Sequence, residues 1–262
     1  MASQAPTDHN ETKTLFEVAV TAASLAGQQL LQARANDRRI EKTAAHDVKI
    51  AADRRAEGLI VDQLRAHTSF AILSEEAGLI AAQGPAGSLS WIIDPLDGSL
   101  NYHQGIPLCC ISIALYDGWE PVLGVVYDFN RGELFTGIVG QGAHCNGVAI
   151  HPSLIQRREE AVLATGFPVS RDFAAPALRA FIDQIRGFRK VRLLGSAALS
   201  FSYVACGRLD AYTEENIMLW DVAGGCALVK AAGGRVELRR GEDFQQPVTV
   251  YADNGKLERG AQ

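Results

Sequence analysis

The chain has 262 residues, 47% of them hydrophobic, and a formal net charge of −5, which is enough apolar mass for one large domain or two closely packed lobes. An acidic balance gives no electrostatic reason to bind nucleic acid or an anionic membrane surface, so neither is an expected partner. The five cysteines (Cys109, Cys110, Cys145, Cys206, Cys226) are odd in number and form no C-x-x-C pair, which argues against a zinc framework or a disulfide scaffold and fits a reducing compartment.

The opening MASQAPTDHNETK carries Asp8 and Glu11 without an apolar core. It therefore does not read as a signal peptide, no apolar run reaches the length of a membrane span, and the expected location is cytoplasmic. From about Lys13 to Ala35, Leu15, Val18, Ala22 and Leu25 recur at helical spacing. A second helix follows from about Asp53 to Arg65, with Ala56, Leu59, Ile60 and Leu64 inward. Strand-like runs come at 70–73 (FAIL), 91–93 (WII), 111–115 (ISIAL), 122–128 (VLGVVYD) and 133–139 (ELFTGIV), with turn signals at DG and NRG.

The texture changes after Pro152. Strands are expected at 161–165, 190–194, 210–213 and 235–238, and helices at 177–186, 197–206 and 221–233, an alternation typical of layered α/β structure. The polar stretch HPSLIQRREE (151–160) is the expected boundary between an N-terminal α+β lobe (1–150) and a C-terminal α/β lobe (151–262).

Carboxylates gather at the ends of these elements: SEEAG after FAIL, DPLDGS after WII, Asp53 at one helix start and Asp221 at another. Strand ends and helix starts share one rim, where hard oxygen ligands suit Mg²⁺. Taken singly, Asp53 and Asp221 read as ordinary helix caps. The DPLDG stretch does not, because it sets Asp94, the Leu96 carbonyl and Asp97 around a proline-stiffened turn, followed by the amides of Gly98 and Ser99. A helix starting there would add a phosphate cradle. Phosphate held between metal ions and backbone amides is the arrangement of phosphoryl hydrolysis.

In SEEAG, WIIDPLDGSLNY and WDVAGGCALVKAAGG the chain resembles the inositol monophosphatase family of Mg²⁺-dependent, lithium-sensitive phosphatases. KTAAHDVKIAAD, GQGAHCNG, ATGFPVSR and LLGSAAL extend the likeness in order from Lys42 to Ala232. The resemblance implies a layered αβαβα sandwich of the inositol monophosphatase and sugar phosphatase type, commonly a homodimer, with two or three Mg²⁺ ions. It places Glu75, Asp94 and the Leu96 carbonyl on the first metal and Asp94, Asp97 and Asp221 on the second, with a third ion also leaning on Glu75. Asp53 and Ser99 would orient and deprotonate the attacking water, and Gly98 and Ser99 would bind phosphate. Asp97, Gly195, Ser196, Ala197 and Glu214 would meet the substrate.

Five positions depart from the family pattern. Ser99 stands where threonine is commoner and keeps the hydroxyl. Lys49 and Ile50 replace V-T in the first-loop segment D-x-V-T-x-x-D. Val169 replaces a serine that some relatives place near the substrate ring, and Leu100 lacks the lysine of many nucleotide-bisphosphate phosphatases. None of the six histidines sits in H-x-x-x-H or H-x-H spacing, and only His103 follows the phosphate loop directly. Glu76 reads as a solvated or supporting neighbour of Glu75.

The expected function is Mg²⁺-dependent hydrolysis of a small phosphate monoester, with inositol monophosphate first. Histidinol phosphate, fructose 1,6-bisphosphate and a 3′-phosphoadenylate are rivals. A regulatory binding protein that keeps the fold is the reading from another class.

Overall fold

The computed structural model describes residues 9–34, 40–43, 48–84, 87–167 and 173–258. Helix α1 (His9–Ala33) begins earlier than the apolar spacing indicated. Its inward face is mostly alanine, with Ala19, Ala22, Ala23, Ala26 and Leu30 fully buried, so its backbone lies close to what it covers. A short hairpin, β1 (Ile40–Thr43) and β2 (Val48–Ile50), leads into α2 (Ala51–His67). Helix α2 buries Ala52, Ala56, Ile60 and Leu64 at helical spacing.

An eight-stranded sheet comes entirely from residues 71–150. Its strands are β3 (Ala71–Ser74), β4 (Gly78–Ile80), β5 (Leu89–Asp97), β6 (Cys110–Asp117), β7 (Glu120–Asp128), β8 (Glu133–Ile138), β9 (Gly142–Cys145) and β10 (Val148–Ile150). The order is β10-β9-β8-β7-β6-β5-β3-β4, with β3 and β5 parallel and the other neighbours antiparallel. Both faces are covered, and β6 divides its side chains accordingly. Ile111, Ile113 and Leu115 join the core under α1 and α2, while Cys110, Ala114 and Tyr116 point to the opposite core.

The proline-stiffened turn expected at 94–97 is instead the end of β5. Proline cannot donate to a ladder, and the strand accommodates Pro95 by a bulge. Asp94 pairs with Ser112 and Asp97 with Cys110, so three steps on β5 answer two on β6. The chain then turns through Gly98 into α3 (Ser99–Gln104).

The second half supplies β11 (Val162–Thr165), α4 (Ala175–Ile185), β12 (Lys190–Arg192), α5 (Ala197–Ala205), β13 (Ala211–Ile217), α6 (Leu219–Ala231), β14 (Arg235–Arg239) and β15 (Val248–Asp253). Its five strands run β12-β11-β13-β15-β14, parallel on the β12-β11-β13 side and antiparallel around β15. Helices α5 and α6 fill the space between the two sheets, in one core with Ile92, Val126 and Phe135 from one side and Tyr212, Val250 and Ala252 from the other. The end of α4 covers the outer face of the smaller sheet, where Ile185 packs with Leu163, Phe188 and Ala211.

The layers are therefore α1/α2, eight strands, α5/α6, five strands and α4, the αβαβα sandwich. Close approach of α6 depends on small residues. A Cβ at Gly124 of β7 would sit 2.5 Å from the Gly224 carbonyl oxygen. Among the described residues no helix is long and apolar enough to cross a membrane.

Candidate active site

Six elements end at one rim. Helix α2 carries Asp53 in its first turn, 2% exposed. The tight turn between β3 and β4 carries Glu75. Strand β5 ends with Asp94, Leu96 and Asp97, at 1%, 1% and 7% exposure. Asp221 is the third residue of α6, and its carboxylate accepts from the Met218 amide at 3.1 Å, so it does cap the helix. The start of α5 and Glu214 on β13 complete the rim.

Electrostatics tie these groups together. Burial holds the Asp94 carboxyl well above the ordinary carboxylate range, and Glu75, Asp97, Asp221 and Asp53 push it further by like-charge repulsion. Asp221 is raised in the same way, by desolvation first and then by Glu75, Asp97 and, more weakly, Glu214. Burial lifts Asp97 to about 6, against hydrogen bonds from Ser196, Ala198, Ala197 and Cys110 that favour its charged form. Asp94 thus senses Glu75, Asp97, Asp221 and Asp53, and Asp221 senses Glu75, Asp97 and Glu214.

Asp97 is anchored by four hydrogen bonds. Its Oδ2 accepts from Ser196 Oγ at 2.5 Å, the Ala198 amide at 2.8 Å and the Cys110 thiol at 3.6 Å, and its Oδ1 accepts from the Ala197 amide at 3.2 Å. Asp94 Oδ1 accepts from the Leu96 amide at 3.0 Å. Directly across the ladder from Asp94, the fully buried Ser112 hydroxyl has no hydrogen-bond partner among the described residues. Glu214 accepts from the Tyr212 hydroxyl, and a side chain at Gly166 would collide with its carboxylate.

The helix considered after DPLDG does begin at Ser99. Gly98 precedes it with φ 84°, and a Cβ there would lie 2.8 Å from the Leu108 carbonyl oxygen and 3.0 Å from that of Gly195. Only glycine meets both conditions. Gly195, with φ 70°, is likewise in contact range of the Asn101 side chain. The loop at 98–101 and the segment at 194–198 are therefore packed against each other at backbone distance. Ser196 is 4% exposed, with its hydroxyl engaged by Asp97 and by the Leu199 amide. Val169 lies outside the described residues, as do the side chains of Lys49 and Ile50.

Two supporting residues escaped the sequence reading. Glu57, one helical turn after Asp53, accepts from the Ser74 hydroxyl and from the Ala77 amide at 2.9 Å, so α2 fixes the turn that presents Glu75. Its i+4 spacing from Asp53 was the available signal. Asn101 donates to Leu108 O and Leu194 O, both at 2.8 Å, and to Gly195 O at 3.2 Å. No spacing in the sequence announces contacts of that range.

Among the described residues, no three His, Cys, Asp or Glu side chains close to metal-holding spacing. The donor chemistry nevertheless suits a hard cation. The donors are carboxylate and carbonyl oxygens, buried except for the half-buried Glu75, and none of Asp94, Asp97 or Asp221 has a described lysine or arginine partner.

Comparison with known proteins gives this arrangement a family. The model of the inositol monophosphatase family matches residues 11–261. The chain belongs to the inositol monophosphatase family. It is 40% identical over 235 residues to a Nus factor SuhB of Xylella fastidiosa, covering 88% of this chain and 84% of that one. Among solved structures of the inositol monophosphatase fold, the inositol monophosphatase of Anabaena superposes with a TM-score of 0.79 at 33% identity, covering 93% of this chain and 92% of that one. The extragenic suppressor protein suhB of Bartonella henselae superposes with a TM-score of 0.81 at 32% identity, covering 92% and 95%. Metal dependence is typical of inositol monophosphatases, in keeping with the donor set at the rim.

Proposed function

We propose that this protein is a Mg²⁺-dependent phosphomonoesterase whose first substrate is inositol monophosphate, hydrolysed to inositol and phosphate. The observation that carries the reading is like-charge repulsion on two buried carboxylates at one rim, on Asp94 from Glu75, Asp97, Asp221 and Asp53 and on Asp221 from Glu75, Asp97 and Glu214. Like charges held together in this way store a demand for a cation.

Glu75, Asp94, the Leu96 carbonyl, Asp97 and Asp221 would hold two or three Mg²⁺ ions. When bound, these ions neutralise phosphate charge and acidify a water molecule. The chain supplies the rest. Asp53 and Ser99 orient the attacking water and take its proton, and the Gly98 and Ser99 amides hold phosphate oxygens. Glu214 and the segment at 195–197 receive the hydroxyl groups of the alcohol. Asp97, braced from the α5 side, has Oδ1 as its less saturated oxygen for metal or substrate. The five cysteines are free thiols, in keeping with a cytoplasmic enzyme, and a homodimer is the assembly in which we place it.

The test is phosphate release from inositol 1-phosphate, histidinol phosphate, fructose 1,6-bisphosphate and 3′-phosphoadenylate, with and without Mg²⁺. Mg²⁺-dependent turnover led by inositol 1-phosphate supports the reading, whereas a different leader reassigns the substrate. That the Xylella relative is a Nus factor favours a second reading, in which the chain's main role is contact with a protein partner such as a polymerase. No turnover of any ester with Mg²⁺ present would move the weight there.

A further inference from the structure

Segment 194–198 joins β12 to α5, two elements of the second half of the chain. Its polar contacts, however, run to the loop that follows β5 in the first half. Asn101 donates through one amide nitrogen to Leu194 O, Gly195 O and Leu108 O. An amide has two N–H groups, so three carbonyls share two protons and one bond is bifurcated. Asp97 takes the other side of the segment through Ser196, Ala197 and Ala198.

The two glycines at the contact leave room for this fastening. A Cβ at Gly98 would lie 3.0 Å from Gly195 O, and one at Gly195 would lie 2.9 Å from Asn101 Nδ2. Just before the segment, Leu193 is 60% exposed and β12 is an edge strand three residues long. Little on the β12 side restrains it.

We infer that Asn101 is a positioning residue: it fastens segment 194–198 to the phosphate loop, so that the part of the site meeting the alcohol keeps a fixed distance from the part meeting phosphate. This rests on the proposed phosphatase reading for its consequence, and on geometry alone for the fastening. Asn101 acts through Gly195 and Ser196, and its loss should be felt in proportion to how much of the substrate lies beyond the phosphate. A misplacement of about 1 Å at a remote contact can cost ~100-fold.

The experiment uses the full-length protein with Asn101→Ala, and compares kcat/KM for inositol 1-phosphate with that for phenyl phosphate, an ester without polyol hydroxyls. The ratio should fall about tenfold, with phenyl phosphate turnover and the Mg²⁺ concentration for half-activity nearly unchanged. Amide hydrogen exchange should speed up at Ala197, Ala198 and Leu199. Gly195→Ala attacks the same contact from the other side, and its effect on the ratio should be less than additive with Asn101→Ala. Asn101→Asp, which keeps the side-chain shape and removes its N–H donors, provides a second variant should the first fold poorly.

Equal losses on both esters would reduce Asn101 to a general structural residue and overturn the inference, as would unchanged exchange at 197–199. If the wild-type protein hydrolyses no ester, the function reading fails, and the exchange measurement by itself decides the fastening.

Discussion

Asp128 and Asp94 are both buried carboxylates on the same sheet, and the chain treats them in opposite ways. Asp128 is fully enclosed, with Arg131 Nη1 2.8 Å from its Oδ2 and the amides of Asn130 and Arg131 at 3.1 Å from its Oδ1. Asp253 follows the same pattern with Arg235 and the Gly255 amide. Asp94 faces other carboxylates and has no described basic partner. A chain that supplies arginine to two buried carboxylates and withholds it from three more at one rim leaves room there for a cation from solution.

The largest effect that tests this contrast comes from Asp94→Asn. Turnover should fall about a thousandfold, or ~4 kcal/mol of barrier, while the metal-free protein melts no lower than wild type, because a repelling charge has gone. Unimpaired turnover in that variant would sink the metal-site reading. Next in size, Mg²⁺ at about 100 times its dissociation constant should stabilise the fold by ~2.7 kcal/mol. The gain should be seen as a higher melting temperature that chelator reverses and that Asp94→Asn lacks.

Asp128→Asn should do the reverse of Asp94→Asn. It should cost about 1–3 kcal/mol in denaturant unfolding and leave specific activity per folded molecule near wild type. An activity loss as large as that of Asp94→Asn would erase the distinction between the two regions.

The last effect is a slope with pH. With its carboxyl raised from 3.8 to about 6, Asp97 in the folded metal-free protein keeps a proton that the unfolded chain has released. Its stabilising contribution is full below pH 4 and is lost as pH rises through 6, by up to ~1.4 kcal/mol per pH unit. Subtracting the profile of Asp97→Asn isolates this term. A difference that rises with pH in that window would contradict the assignment.

The rim was legible because acidic residues stood at the ends of apolar runs, and the SEEAG, DPLDG and WDVAGG stations lie where those runs stop. The bulge after Asp94 was read as a turn because Pro95 argues against a ladder, and only the partner strand reveals that pairing resumes at Asp97. Strands β4 and β10, three residues each, are too short for alternation to register. Strand β15 was missed although VTVYAD carries β-branched residues in alternation. Asn101 and Ser196 could not be read from spacing, since their partners lie more than ninety residues away in sequence.

Helix α6 runs between the two sheets, with its third residue at the carboxylate rim and Lys230 near its far end paired to Glu120 of β7. Asp221 reaches the rim only when both sheets have closed on that helix, and closure joins segments separated by most of the chain's length. Such long-range assembly is slow, so in refolding the full constellation should be among the last features to appear. A partly assembled chain would hold Asp53, Glu75, Asp94 and Asp97 without the helix that completes them, and recovery of the proposed metal binding would then be a clock for the docking of the two halves.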